Sequence, residues 1–260
     1  PTADNLDLSF SANVGYRVVD AQHMDLLVQD FDSTLSRAAC GWLAMKVAER
    51  TYDELRAERP AAGATSFTRQ QLPLGLGHAV WCARALVGDE PFALLLPDMV
   101  MHAKPGCLRQ MIDVYGARGG SNGIAVEEVP EDRVHMYGIV GKGKEHGKDK
   151  GNAFEITQMV EKPKKEDAPS NLSITGRYIL QPEIFDVLAT QEKGAGGEIQ
   201  LTDAMIALAK KQPFYGVKFS GTSYDCGSKI GFLTANVAYG LAREDLSAAF
   251  REEIKSLLGK

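Results

Sequence analysis

The chain has 260 residues, of which 44% are hydrophobic and 24% charged, and this balance predicts a globular protein with a full core. No apolar run approaches the roughly 20 residues that a membrane helix needs, so we expect no membrane segment. The net charge of −5 disfavours a nucleic-acid-binding protein but is compatible with a small anionic substrate. The four cysteines form no C-x-x-C pair and no zinc pattern, which predicts reduced thiols in a cytoplasmic protein.

Residues 1–60 show one candidate strand and two helical runs, without a glycine-rich phosphate loop. The strand is predicted at Gly15–Val19, and the first helical run extends from Asp25 to Leu35. The second run covers Thr34–Arg59, where apolar residues alternate with Glu and Arg, and Pro60 ends it.

Two glycines, Gly75 and Gly77, precede the next helical run, whose apolar positions include Val80 and Val87. Glycines before a helix let a ligand approach bare backbone, and a helix N-terminus favours anions. Gln70, just upstream, can both donate to and accept from the edge of a nucleobase. A plain turn is the competing interpretation of the two glycines.

An unbroken apolar run, Phe92–Leu96, predicts a strand buried on both faces, of the kind found inside a parallel sheet. Pro97 ends the strand because it has no N–H to donate. Asp98 therefore follows the carboxyl end of the strand, which is where open α/β sheets bind ligands. Its carboxylate is either a Mg²⁺ ligand or the cap of the following turn.

After Asp98 the pattern alternates between helices and strands, and a chain of this length suits one large α/β domain, alone or with a small appendage. Helices are predicted through Leu108–Tyr115, Pro182–Leu188 and Leu201–Ala209. Strands are predicted at Gly123–Val126, Met136–Val140, Phe154–Lys162, Gly176–Leu180 and Phe214–Phe219. Gly138, inside one of these strands, marks a bulge or a close approach by a ligand.

A carboxylate and an ammonium, Glu161 and Lys162, end one strand just before a proline. They can bind sugar hydroxyls and a phosphate respectively, although a surface ion pair is the alternative interpretation. Asp225 places a second carboxylate at a strand end. Residues 232–260 show an apolar periodicity that predicts two amphipathic helices, packed on the domain or on a second subunit.

Taken together and in order, seven stretches between residues 66 and 250 resemble the bacterial UTP–glucose-1-phosphate uridylyltransferases. Each stretch alone is weakly specific, whereas the ordered set is highly specific. The stretches are Gln70 with Gly75–Val80, Gly88–Asp98, Val160–Pro163, Pro169–Leu172, Gly176–Leu180, Gly194–Ala204 and Tyr224–Gly227.

The resemblance implies the nucleotide-diphospho-sugar transferase fold, a Rossmann-like three-layer α/β/α sandwich with a mixed, mostly parallel sheet. It also implies the Mg²⁺-assisted reaction of UTP with glucose 1-phosphate, which forms UDP-glucose and pyrophosphate by in-line attack on the α-phosphorus. As partners it implies these substrates and a homo-oligomer, either a dimer or a tetramer. A related nucleotidyltransferase that uses another base or sugar is an alternative.

Site residues follow from the same resemblance. Asp98 and Asp225 would hold Mg²⁺ and, together with Lys162 at the sugar phosphate, would be the catalytic residues. Gln70 and the backbone at Gly75 would read the uracil. The glucose pocket would be lined by Gly138, Glu161 and Gly176, with Glu161 accepting hydrogen bonds from sugar hydroxyls.

The family also has a G-x-G-T-R loop and a K-E-M-L-P-like segment, and neither occurs in residues 1–260. The chain is then a fragment or has a disturbed start, or it binds UDP-glucose without catalysing, or its N-terminal residues supply an unfamiliar phosphate site. We accordingly divide it into an atypical N-terminal segment (1–60), a nucleotidyltransferase core (61–231) and a C-terminal helical segment (232–260) that is a possible oligomer contact.

Overall fold

The computed structural model describes residues 14–17, 68–145 and 152–259. Of the elements predicted within residues 1–60, the strand at Gly15–Val19 is observed as β1 (Val14–Arg17). The two helical runs predicted between Asp25 and Arg59 lie outside the described residues, as does most of the proposed N-terminal segment. The division into three segments therefore stays a prediction.

Seven strands of the described residues form one mixed sheet, and two further strands form a small second sheet. The strands are β1, β2 (Phe92–Leu95), β3 (Met99–His102), β4 (Asn122–Glu128), β5 (Gly138–Glu145), β6 (Ala153–Glu161), β7 (Leu172–Leu180), β8 (Phe214–Lys218) and β9 (Thr222–Asp225). The main sheet has the order β1-β2-β7-β4-β8-β6-β5, and β3 pairs with β9.

Seven α-helices are seen in the described part of the chain. They are α1 (Leu76–Cys82), α2 (Arg84–Val87), α3 (Cys107–Ala117), α4 (Ile184–Thr190), α5 (Leu201–Ala209), α6 (Lys229–Ala242) and α7 (Ser247–Leu258). The side chain of Ser228 caps α6 by accepting a hydrogen bond from the N–H of Gly231 at 3.0 Å. Gly119 and Gly120, both with positive φ, follow α3.

Helices cover both faces of the main sheet, which confirms the predicted three-layer α/β/α architecture. The larger hydrophobic cluster lies between the sheet and helices α1, α2, α4 and α5. A smaller cluster on the opposite face includes Cys107 and Met111 of α3. Along β7, Tyr178 and Leu180 join the larger cluster and Ile179 joins the smaller one, because successive strand residues point to opposite faces.

The direction of the strands corrects one part of the fold prediction. Among the described strands only β4 and β8 run parallel, and every other pairing is antiparallel, so this part of the sheet is mixed but not mostly parallel. Strand β2, which was expected inside a parallel sheet, pairs antiparallel with both β1 and β7. An unbroken apolar run reports burial on two faces, which two helical layers impose whatever the direction of the neighbouring strands.

Candidate active site

Asp98 lies in the short connection between β2 and β3, as the break at Pro97 predicts. Strand β3 pairs antiparallel with β9, and Met99 stands opposite Asp225, the last residue of β9. The backbone N–H of Cys226 donates to the carbonyl of Asp98 at 2.7 Å, which holds the two segments together beyond the ladder. Strand pairing therefore brings the two aspartates, which are far apart in the sequence, to the same place.

The carboxylates of Asp98 and Asp225 converge beside Gly227. A methyl group placed on Gly227 would lie 3.1 Å from Oδ1 of Asp225 and 3.4 Å from Oδ2 of Asp98. The N–H of Gly227 also donates to Oδ1 of Asp225 at 3.0 Å, which fixes that carboxylate. A side chain at position 227 would fill the space between the two acids, and glycine keeps this space open.

The acidic surroundings of this pair are visible in the pKa of a neighbouring thiol. Burial raises the pKa of the Cys226 thiol, and the carboxylates of Asp225 and Asp98 raise it further. Cys226 therefore stays protonated at neutral pH and adds no negative charge to the pair.

Tyr178 connects this acidic pair to Glu161. Burial raises the pKa of the Tyr178 phenol well above its usual range, and the carboxylates of Glu161 and Asp98 raise it further, whereas Arg177 acts in the opposite direction. A neutral phenol thus has both Asp98 and Glu161 as electrostatic neighbours. Both carboxylates, one from each predicted part of the site, therefore lie near the phenol of Tyr178.

Glu161 is held over Gly138 by strand register and by a threonine. Glu161 is the partner of Gly138 in the β5–β6 ladder, and a methyl group on Gly138 would lie 3.1 Å from Oε2 of Glu161. The hydroxyl of Thr202, at the start of α5, donates to the same oxygen at 2.9 Å. Gly138 and Glu161, two of the residues predicted for the sugar pocket, are therefore adjacent. Thr202 contacts Glu161.

Lys162 is free of a tight ion pair with its neighbour. Its Nζ lies 3.9 Å from Oε1 of Glu161, and the lysine side chain is 63% exposed while that of Glu161 is 26% exposed. Lys162 is also the non-glycine residue of the described chain with a positive φ, 46°, and its N–H donates to the carbonyl of Tyr137 at 3.0 Å. A surface ion pair does not explain this conformation, and strained backbone of this kind is concentrated at functional sites.

Gln70 and Gly75 form a third part of the predicted site. Nε2 of Gln70 donates to the carbonyl of Gly75 at 3.0 Å and lies 2.9 Å from Nδ1 of His78. Gly75 has φ of 97°, and a methyl group there would lie 2.7 Å from Cβ of Glu198. The amide of Gln70 is thus oriented by the very loop that the glycines form.

Residues 198–202 connect the Gly75 loop to Glu161. The N–H of Ile199 donates to the carbonyl of Leu74 at 2.7 Å, and the N–H of Gly77 donates to the carbonyl of Ile199 at 2.8 Å. Thr202, three residues further along, contacts Glu161. Packing of this segment explains both glycines, since either side chain would collide with it.

Gly176 lies beside the Asp98 connection. It has φ of 70°, and a methyl group there would lie 3.0 Å from Cδ1 of Leu96 and 3.0 Å from Cγ of Met99. Packing against Leu96 and Met99, on either side of Asp98, thus explains a glycine at position 176, and its place in the glucose pocket stays a prediction.

Comparison with known proteins identifies the family of the chain. The sequence profile of the nucleotidyl transferases matches residues 40–240. The chain belongs to the nucleotidyl transferase family. The resemblance stated from the sequence motifs is confirmed.

The proteins similar to this nucleotidyl transferase include uridylyltransferases and UDP-glucose pyrophosphorylases. A UTP–glucose-1-phosphate uridylyltransferase of Staphylococcus epidermidis is 44% identical over 191 residues, which are 74% of this chain and 65% of that protein. A structure of UDP-glucose pyrophosphorylase complexed with UDP-glucose is 40% identical, with a TM-score of 0.64 over 68% of this chain and 66% of that chain. A UTP-bound enzyme of the same name from Acinetobacter baumannii is 33% identical, with a TM-score of 0.65 over 88% and 75%. The chain thus covers less than two thirds of the length of the curated relative.

Sequence reasoning missed three residues that contact the candidate site of this nucleotidyl transferase: Thr202, Tyr178 and Arg177. All three lie within stretches that carried the family resemblance, but none received a role. Thr202 stands directly before Asp203 in a helical run and looks like an ordinary helix-start residue. Tyr178 and Arg177 look like strand residues, and only their packing reveals the acids and carbonyls that they face.

Within the described residues, no group of three or more His, Cys, Asp or Glu side chains is arranged to hold a metal ion. None of the described helices is both long and apolar enough to cross a bilayer.

Proposed function

We propose that this nucleotidyl transferase chain forms UDP-glucose and pyrophosphate from UTP and glucose 1-phosphate. The observation that carries the proposal is the convergence of Asp98 and Asp225 beside Gly227, in the same region as Glu161. The names of the relatives support the choice of uracil and glucose.

The residues at Asp98 and Asp225 fit Mg²⁺. Magnesium prefers oxygen ligands and is commonly held by one or two carboxylates, with substrate phosphates and water supplying the remaining positions. Two carboxylates with an open space between them match that requirement. When bound, Mg²⁺ would supply charge neutralisation on the phosphates. The two side chains would hold the ion at the end of β2, next to the place where the sugar binds.

Glu161 and Lys162 would position glucose 1-phosphate. Glu161, oriented by Thr202, would accept hydrogen bonds from sugar hydroxyls. The exposed ammonium of Lys162 would contact the sugar phosphate and offset its charge as the two anions approach. An oxygen of that phosphate forms a bond to the α-phosphorus of UTP, and the bond from this phosphorus to the departing pyrophosphate breaks. The chain aligns two anions, and no protein nucleophile is required.

Gln70 and the backbone at Gly75 would recognise the uracil. Because Nε2 of Gln70 is engaged by the carbonyl of Gly75, the amide plane is fixed before the base arrives. Gly75 precedes the first residue of α1 and has a positive φ, 97°. A pyrimidine edge with one donor and acceptors can then pair with groups that are already oriented.

The test is UTP-dependent release of pyrophosphate in the presence of Mg²⁺ and glucose 1-phosphate. Asp98→Asn and Asp225→Asn should each lower the rate by at least about 100-fold, because each removes an anionic ligand. Asp113→Asn is the matched control, since Asp113 is an exposed helical aspartate paired with Arg109 at 3.1 Å. A folded chain that releases no pyrophosphate above background would contradict the proposed activity.

A second candidate function, binding of UDP-glucose without catalysis, is favoured by the lack of a G-x-G-T-R motif in residues 1–260. Calorimetry that shows tight binding of UDP-glucose by a chain without turnover would support it. Competition among UTP, dTTP, CTP and ATP separates the main proposal from a nucleotidyltransferase with another base. The family resemblance also predicts a cytoplasmic homo-oligomer, a dimer or a tetramer, which light scattering checks.

A further inference from the structure

The backbone that carries Asp98 leaves the main sheet and has to satisfy its polar groups elsewhere. The N–H of Leu96 still donates to the carbonyl of Gly176 at 2.9 Å, but Pro97 has no N–H, and the ladder of β2 ends at Leu95. The carbonyl of Leu96 accepts a long hydrogen bond from the N–H of Met99, at 3.3 Å, and both it and the carbonyl of Met99, on either side of Pro97 and Asp98, can take a further donor.

Both of these carbonyls are held by one guanidinium. Nη1 of Arg177 donates to the carbonyl of Leu96 at 2.8 Å and contacts that of Gly176 at 3.2 Å, and Nη2 donates to the carbonyl of Met99. Arg177 is only 6% exposed. A buried charge is tolerated only when it is well hydrogen-bonded, so this arginine is committed to the Asp98 connection.

The same contact extends to Asp225. Met99 is the first residue of β3 and stands opposite Asp225 in the β3–β9 pair, while the N–H of Cys226 donates to the carbonyl of Asp98. Displacement of the Leu96–Met99 connection would therefore move Asp98 and loosen the strand pair that carries Asp225. Arg177 lies outside both carboxylate-bearing segments and holds the geometry between them.

We infer that Arg177 is a positioning residue that keeps the Asp98 connection in the conformation in which Asp98 faces Asp225. The inference rests on the proposed function, because that function makes the two carboxylates cation ligands. A guanidinium presents several N–H groups in a rigid plane, so that it bridges two carbonyls three residues apart. A lysine ammonium is a single point charge and cannot span them in the same way.

The first experiment measures the affinity of the full chain for Mn²⁺, read from the electron paramagnetic resonance signal of the free ion. Arg177→Lys and Arg177→Met should weaken binding by about tenfold, the effect of losing one charged hydrogen bond at the site. Arg118→Lys is the matched control. Arg118 is a half-buried arginine over the ring of Tyr215. It precedes β4, whereas Asp98 follows β2, and because both strands are antiparallel to β7 the two residues lie at opposite ends of the sheet's strands. It should leave Mn²⁺ affinity unchanged.

The second experiment needs no ligand and reports on the connection itself. Alkylation of Cys226 by iodoacetamide, followed by mass spectrometry of its peptide, should become about fivefold faster in Arg177→Lys, because local opening exposes a partly buried thiol. Cys82, on α1, is the internal control and should react at an unchanged rate. Circular dichroism confirms that each variant is folded, and Arg177→Lys carries the test if Arg177→Met does not fold.

The two readouts separate the inference from the proposed function. An unmodified chain that leaves Mn²⁺ free would overturn the cation site, and the alkylation rates would still decide whether Arg177 orders the connection. Folded Arg177 variants with unchanged Cys226 alkylation and unchanged Mn²⁺ affinity would overturn the inference. Faster alkylation together with weaker Mn²⁺ binding, absent in Arg118→Lys, is the expected result.

Discussion

The hydrogen bond from Thr202 to Glu161 offers the sharpest test of the proposed role of Glu161 in sugar binding. Thr202 is only 8% exposed, and its hydroxyl donates to Oε2 of Glu161 at 2.9 Å. Thr202→Val replaces the hydroxyl by a methyl group of similar size, so that the packing is preserved and only the hydrogen bond is lost. Glu161 then keeps its charge but loses the group that orients it.

The expected magnitude follows from the charge of the acceptor. A hydrogen bond to a charged group contributes about 1.5–3 kcal/mol. If the lower value is lost from the orientation of Glu161, the affinity for UDP-glucose falls by about tenfold. The midpoint temperature of unfolding should fall by only a few degrees, because a chain of this size loses about 3 °C for each kcal/mol of stability.

Titration calorimetry with UDP-glucose measures the effect, and two variants control it. Thr202→Ser keeps the hydroxyl and should keep most of the affinity. Thr175→Val removes a buried hydroxyl that donates to the carbonyl of Ala125 at 2.9 Å, and should affect stability but not affinity. Equal UDP-glucose affinity in folded Thr202→Val and in the unmodified chain would refute the role assigned to this hydrogen bond.

Three further predictions concern packing, ionisation and the space between the acids. Gly216→Ala should lower the free energy of unfolding by about 1–3 kcal/mol, because its Cβ would lie 2.7 Å from Cε2 of the buried Phe154 ring. Gly116→Ala is the control: its Cβ would have no atom within 4 Å, so the substitution should be neutral or stabilising. Urea unfolding measures both. Burial raises the pKa of Tyr178, so its contribution to stability is complete below the ordinary pKa near 10 and is lost as the pH rises through the folded value. Tyr178→Phe should therefore reduce the decline of the unfolding midpoint at alkaline pH. An equal decline in both proteins would contradict burial of the phenol. Gly227→Ala should weaken Mn²⁺ binding by about tenfold because its Cβ enters the space between the two aspartates, and unchanged binding would contradict a shared cation.

Local patterns in the sequence predicted most elements of this fold. The apolar run at Phe92 predicts a strand to Leu96 and the structure has Phe92–Leu95, and the helix predicted through Leu108–Tyr115 is observed as Cys107–Ala117. Such patterns depend on side chains within one or two turns, or on alternate residues of one strand. Burial of an element and its type are therefore readable from the sequence, whereas the direction of its neighbours is not.

Strand β3 could not be predicted from local sequence patterns. Its four residues follow directly after Pro97 and Asp98, which looked like the end of a structured segment. Met99–His102 is a strand because it pairs with Thr222–Asp225, more than 100 residues later in the chain. The burial of Arg177 has the same origin, since its carbonyl partners are 81 and 78 residues away. Contacts at such separations are decided by topology and leave no periodic signal.

A glycine lies beside the carboxylates in two parts of the candidate site, and of these two glycines the sequence singled out only Gly138 as a site residue. An aspartate at a strand end is common, and its bland role as a cap is always available. A methyl group on Gly138 would approach Glu161, and one on Gly227 would approach Asp225 and Asp98, each at 3.1–3.4 Å. A methyl group at either position would require the neighbouring carboxylate to move by a few tenths of an ångström. In the proposed function the acids would supply the chemistry, and the adjacent glycines would leave the room in which a sugar nucleotide and a cation meet them.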